Sequence, residues 1–265
     1  MPEKKSFITG LLLAAAKVGS KLLTVFLKLM KSSKFLLGGA SFLSYGICYG
    51  WTFTILFLPC LIIHEFGHVW AMRHTGLKTK GFYLIPFLGA AAVPEENFHN
   101  REQETFIAMM GPVFGVGSVI VLLLLYSLTG WEQLIAMAPI ISLMNIFNLF
   151  PIHPLDGGRV FKSILMSIHS RLGLAFFVVG LVMSILLVGK LGFGLYVFIF
   201  ILGAMELWRD YSDARKNLNI KPQMNPIKIL VSVITYALTA ITLSMLMYYS
   251  SIVAGSYQHI KEMLS

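Results

Sequence analysis

The chain has 265 residues, of which 57% are hydrophobic and only 12% charged, with a formal net charge of +9. Mean hydropathy is +0.77, an ordinary soluble domain carries about twice that share of charge, and apolar runs of bilayer-spanning length recur, which excludes a soluble single-core protein. The positive excess then reads as membrane topology and attraction to an anionic leaflet rather than as nucleic-acid binding, and two cysteines, Cys48 and Cys60, exclude a disulfide framework and a paired-cysteine metal site.

Residues 1–34 form a basic segment carrying Lys4, Lys5, Lys17, Lys21, Lys28, Lys31 and Lys34. No compact apolar core with a small-residue cleavage site marks a signal peptide. Lys17, Lys21 and Lys28 fall on one helical face, so residues 7–31 read as an amphipathic helix lying on the membrane. A true span with snorkelling lysines is the alternative. Residues 35–50 and 52–73 are too long for one upright helix. Gly38, Gly39, Gly46 and Gly50 permit a hairpin of two closely packed helices, and Pro59 bends the second. Residues 80–94, with Gly81, Phe82, Leu84, Pro86, Phe87, Gly89 and Val93, read as short strands against the membrane. Further spans are predicted over 105–127, 134–150, 172–189, 191–208 and 229–250. The expected fold class is an all-α polytopic membrane protein. It has about six to seven transmembrane helices and a small β-hairpin region at the cytoplasmic side. Residues 35–209 make the core, and 210–265 supply a linker, one more span and a tail.

Charge orients this layout. With the N-terminus in the cytoplasm, all but Lys190 and Lys261 of the 21 lysines and arginines fall on the inner side. The second helix of the hairpin then runs inward.

That helix holds "CLIIHEFGHVWAM", residues 60–72. Ionisable groups at membrane depth are costly and are functional candidates by default. A His-Glu-x-x-His pattern places His64 and His68 four residues apart on one face, where both imidazoles can reach one zinc ion. Glu65 can then stand beside a zinc-bound water as general base. The plainer reading is a buried polar cluster that joins helices by hydrogen bonds. A third ligand separates the two readings, and only Glu65, Asp156 and Glu206 are acids in apolar surroundings.

Asp156 lies in "NIFNLFPIHPLDGGRVF", residues 145–161, where Pro151, Pro154, Gly157 and Gly158 should interrupt any helix. Irregular backbone at membrane depth is tolerated where it is buried or lines a polar cavity. Two histidines, an aspartate and a position open to water make a hydrolytic rather than a closed structural zinc site. His153, between the prolines, is read as packing against the break. His74 and His99 are read as solvated, and Glu206 as pairing with Arg209.

"HEFGH" followed by "NLFPIHPLDGG", with "GFYLIPFLGAAAV" (81–93) and "IAMMGP" (107–112) between them, resembles the site-2 protease family of intramembrane zinc metalloproteases. The likeness runs from about Lys34 to Arg209 and is greatest to the compact members that process pro-sigma factors in bacterial sporulation. Leu88 stands where relatives often have a second glycine. The resemblance implies one zinc per chain held by His64, His68 and Asp156, Glu65 as general base and acid, and Asn148 beside the site as a donor to substrate or oxyanion. It implies a transmembrane or membrane-associated protein substrate within the lipid bilayer and no nucleic-acid partner. It also implies residence in a bacterial cytoplasmic membrane with the active site toward the cytoplasm. No insert is long enough for a PDZ domain, and the residues after Arg209 are too few for a nucleotide-binding regulatory domain. Two rivals compete: a non-proteolytic scaffold of the same fold and a zinc transporter. Retention of all four site residues weighs against the first. Transport wants polar groups continued across several helices, and 105–127 and 229–250 contain no Asp, Glu or His.

Overall fold

A computed structural model describes residues 33–86, 89–152, 155–169 and 223–264, with residues 175, 176 and 179 besides. The expected helices at 7–31, 172–189 and 191–208, together with Leu88, His153 and the Glu206–Arg209 pair, lie outside the described residues. Numbered over those residues, the elements are α1 (Ser33–Tyr49), α2 (Trp51–His74), β1 (Thr79–Ile85), β2 (Gly89–Pro94), α3 (Arg101–Thr129), α4 (Glu132–Asn148), α5 (Asp156–Ile168) and α6 (Pro226–Leu264).

The described residues are mostly helical, with one two-stranded antiparallel sheet among them. Three described helical stretches are long and apolar enough to cross a membrane: Trp51–His74, Arg101–Thr129 and Pro226–Gly255. Their outward side chains are large and apolar, among them Ile55, Leu124, Leu128, Leu230 and Ile241, as expected where the solvent is hydrocarbon. Helices α1 and α4 have 17 residues each, a little under the roughly 20 that an upright span needs. The expected break between α1 and α2 falls at Gly50, with φ 88° and ψ 156°, a backbone region open essentially to glycine alone. Helix α3 begins where Asn100 Oδ1 accepts from the Gln103 amide at 2.7 Å and ends at left-handed Gly130, a side-chain cap and a glycine cap that satisfy orphan backbone groups.

The hairpin pairs Phe82 with Ala92 and Leu84 with Ala90. Leu84 and Ala90 pack against Tyr45, Leu58 and Leu61, and the Lys34 ammonium donates to the Lys80 carbonyl, so the sheet is tied to α1 and α2. Two apolar clusters bracket the rest. One joins Leu56 and Cys60 to Val119, Leu134 and Ile141. The other joins Ala108 and Met109 to Leu149, Val160 and Leu243. The sequence expectation for Gly157 and Gly158 needs correction: both lie inside the first turn of α5 rather than breaking it. The reason is space, since a Cβ on Gly157 would overlap the Leu149 carbonyl. Glycine lets the start of α5 press against the end of α4.

Candidate metal centre

Four helices converge on one buried point. Helix α2 supplies His64 and His68, which are 2% and 7% exposed, and α5 opens on Asp156, which is 8% exposed. Helix α3 backs onto the two imidazoles through Gly111, where a Cβ would overlap His68 and crowd His64. Immediately before His68 on α2, Gly67 meets the Met110 backbone in the same way. Small residues let helices approach until their backbones touch, and here they leave room only for the site's own side chains.

His64 Nε2 lies 3.2 Å from His68 Nε2 and 3.2 Å from Asp156 Oδ2, and His68 Nε2 lies 3.3 Å from the same oxygen. Three donor atoms thus form a nearly equilateral triangle. Ligand atoms around a tetrahedral ion with bonds of about 2.0–2.1 Å stand about 3.3 Å apart, so the triangle fits one face of that tetrahedron. Among the described residues, these three are the group of His, Cys, Asp or Glu side chains placed to hold a metal ion.

Protons are arranged for the same end. His68 Nδ1 is 2.8 Å from the Ile107 carbonyl, which can only accept, so His68 carries its proton there. His64 Nδ1 is 2.8 Å from Asn145 Oδ1. Both Nε2 atoms face each other and a carboxylate. Two imidazole nitrogens and a carboxylate oxygen converging at this spacing suit a cation, and an imidazole held at one nitrogen by an acceptor is the usual state of a metal-binding histidine. Glu65, 6% exposed, follows His64 and precedes His68 by three positions, on the same side of α2. Asn148 is half-buried on α4, and its Nδ2 donates to the Met144 carbonyl at 3.2 Å. A second amide, Asn145, one turn earlier, contacts His64. Sequence reasoning passed over it because the search for a third ligand considered acids alone, although a buried asparagine in an apolar helix carries its own signal.

Residues 52–130 match peptidase family M50. The matched segment takes in α2, the hairpin and α3, hence His64, Glu65 and His68, while Asp156 lies beyond it. Over 132 residues the chain is 28% identical to a zinc metalloprotease of Methanocaldococcus jannaschii, an alignment covering 48% of this chain and 38% of that protein. Over 121 residues it is 31% identical to a protein of Synechocystis sp. named as a candidate zinc metalloprotease, covering 43% of this chain and 31% of that one. The chain therefore spans well under half the length of either relative in the aligned region.

Proposed function

We propose that the chain is an intramembrane zinc metalloendopeptidase that cuts single-pass or membrane-associated proteins, with residues 35–209 as its peptidase core. The observation that carries this reading is the triangle of His64, His68 and Asp156 donor atoms, buried among apolar helices with Glu65 beside it. These three residues would hold one zinc ion. Bound there, zinc supplies a Lewis acid for the scissile carbonyl and lowers the pKa of a coordinated water toward neutrality. The Glu65 carboxylate accepts the proton of the attacking water and returns it to the leaving amine. The Asn148 amide donates toward the developing oxyanion, a contribution of about 3 kcal/mol when such a donor is well placed. Burial of the site keeps bulk water from competing for these groups.

A helical substrate hides its carbonyls in its own hydrogen bonds and must extend to be cut. The hairpin of β1 and β2, packed on α1 and α2, offers outer edges to which an extended segment can add as a strand. The basic distribution of the chain supports a cytoplasmic position for the N-terminus and site, within about six to seven helices of which the described spans are part.

The test is Glu65→Gln in full-length protein reconstituted in liposomes with a model single-pass substrate. Glutamine keeps the size of glutamate but accepts no proton, and it leaves the three ligands in place. Cleavage should fall about 10²–10⁴-fold while metal content, measured on the same samples, stays at the wild-type level. A Glu65→Gln protein that holds its metal and still cuts at more than about a tenth of the wild-type rate removes Glu65 from the chemistry. A wild-type protein that holds zinc and cuts no membrane substrate leaves the peptidase reading without support.

A further inference from the structure

Asn145 is 0% exposed on the face of α4 that meets α2 and α3. A fully buried amide among apolar helices costs about 1–3 kcal/mol unless its groups are paired. Both ends are paired here, and in a fixed sense. Its Nδ2 donates to the Ile141 carbonyl at 2.8 Å. That bond decides which end of the amide is which, because the carbonyl accepts only a donor. Oδ1 therefore points at His64 Nδ1, 2.8 Å away, and must accept from it. Gly115 of α3 also lies against the amide, where a Cβ would overlap it. The amide is thus clamped between its own helix, His64 and bare backbone.

We propose that Asn145 is the positioning residue of this centre: by accepting from His64 Nδ1 it fixes the imidazole tautomer and turns the Nε2 lone pair to the metal. The inference rests on the metal-site reading above. The Ile107 carbonyl does the same for His68, so each histidine has one dedicated acceptor. The residue type follows from charge. A divalent ion, Asp156 and Glu65 sum to zero, and a neutral acceptor at 145 holds His64 without adding an uncompensated charge to an apolar interior.

Three full-length proteins in detergent decide it: wild type, Asn145→Leu and Asn145→Asp. Leucine keeps the branched shape and removes the acceptor, and aspartate restores an acceptor. Cobalt and zinc dissociation constants are measured by chelator competition, with the cobalt d–d absorption as a spectroscopic signature. Asn145→Leu should bind about 10–100-fold more weakly, with an altered cobalt spectrum, and Asn145→Asp, which keeps an acceptor at the cost of a buried charge, should bind measurably more tightly than Asn145→Leu. Equal affinity of wild type and Asn145→Leu overturns the proposal, as does an Asn145→Asp protein as weak as the leucine variant. A readout on wild type alone covers failure of the leucine variant to fold. In ¹⁵N-histidine spectra of the zinc-loaded wild type, His64 should show a protonated Nδ1 and metal at Nε2, and any other state of His64 overturns the proposal. If wild type binds neither metal, the metal-site reading falls and the positioning role with it. If wild type binds and Asn145→Leu binds equally, only the positioning role falls.

Discussion

The site depends on atoms that are placed to within a few tenths of an ångström. Replacing His68 by alanine removes one vertex of the donor triangle, and elemental analysis of the purified variant should show zinc largely lost. Full zinc in a His64→Ala, His68→Ala double variant would remove the site altogether. Gly111→Ala tests the same geometry without touching a ligand, since the added methyl would overlap His68. Metal affinity should fall by at least tenfold, the scale on which supporting groups act, while α3 gains helix propensity. Chelator competition on folded protein reads this out, and an unchanged affinity would mean that α3 yields. The grouping of His64, His68 and Asp156 was legible in the sequence, because ionisable groups in apolar surroundings stand out and the spacing of the two histidines matches a helix turn. Asn145 was not, because its meaning lies in which neighbour it faces, and a linear pattern does not carry that. Gly111 and Gly115, four apart in an apolar stretch, were the available hint of a close helix crossing.

At the scale of elements, the turn between α1 and α2 and the junction between α4 and α5 carry the architecture. Gly50→Ala forces a side chain into a backbone conformation that only glycine adopts freely, at a cost of about 1–3 kcal/mol. Thermal unfolding in detergent should show a lowered midpoint with metal stoichiometry unchanged, because Gly50 is remote from the donor atoms along α2. Gly157→Ala acts differently: the methyl meets the Leu149 carbonyl, and relief of that overlap moves the residue next to Asp156. Its signature should be weaker metal binding, measured beside Gly50→Ala as a control. The element boundaries were broadly readable, because apolar runs and glycine or proline punctuation mark them. The role of Gly157 was misread, since a helix-breaking propensity and a need for close contact look alike in a sequence and only packing separates them.

For the whole molecule, the proposed orientation in the bilayer rests on the distribution of charge. Cys48 is exposed two residues before the α1–α2 turn, and Cys60 is buried. With the N-terminus in the cytoplasm, a membrane-impermeant maleimide added outside intact cells should label Cys48 and spare Cys60. Cys48→Ser should abolish labelling. Labelling from the cytoplasmic side alone would invert the arrangement and put the metal centre nearer the outer face. Composition and hydropathy made the membrane setting legible at once, since hydrocarbon as solvent demands apolar surfaces. The arrangement of helices around one buried point was not legible, because it depends on contacts between residues far apart in the chain.

The two histidines are steadied by partners of different kinds, a side-chain amide for His64 and a main-chain carbonyl for His68. Inheritance treats these unequally. A codon change at 145 can delete the first acceptor, whereas any residue at 107 that preserves the helix still presents its carbonyl to His68. A genetic screen for variants that fold but lose the metal should therefore recover many alleles at 145 and few at 107. Half of the centre's support is exposed to mutation, and the other half is written into the backbone.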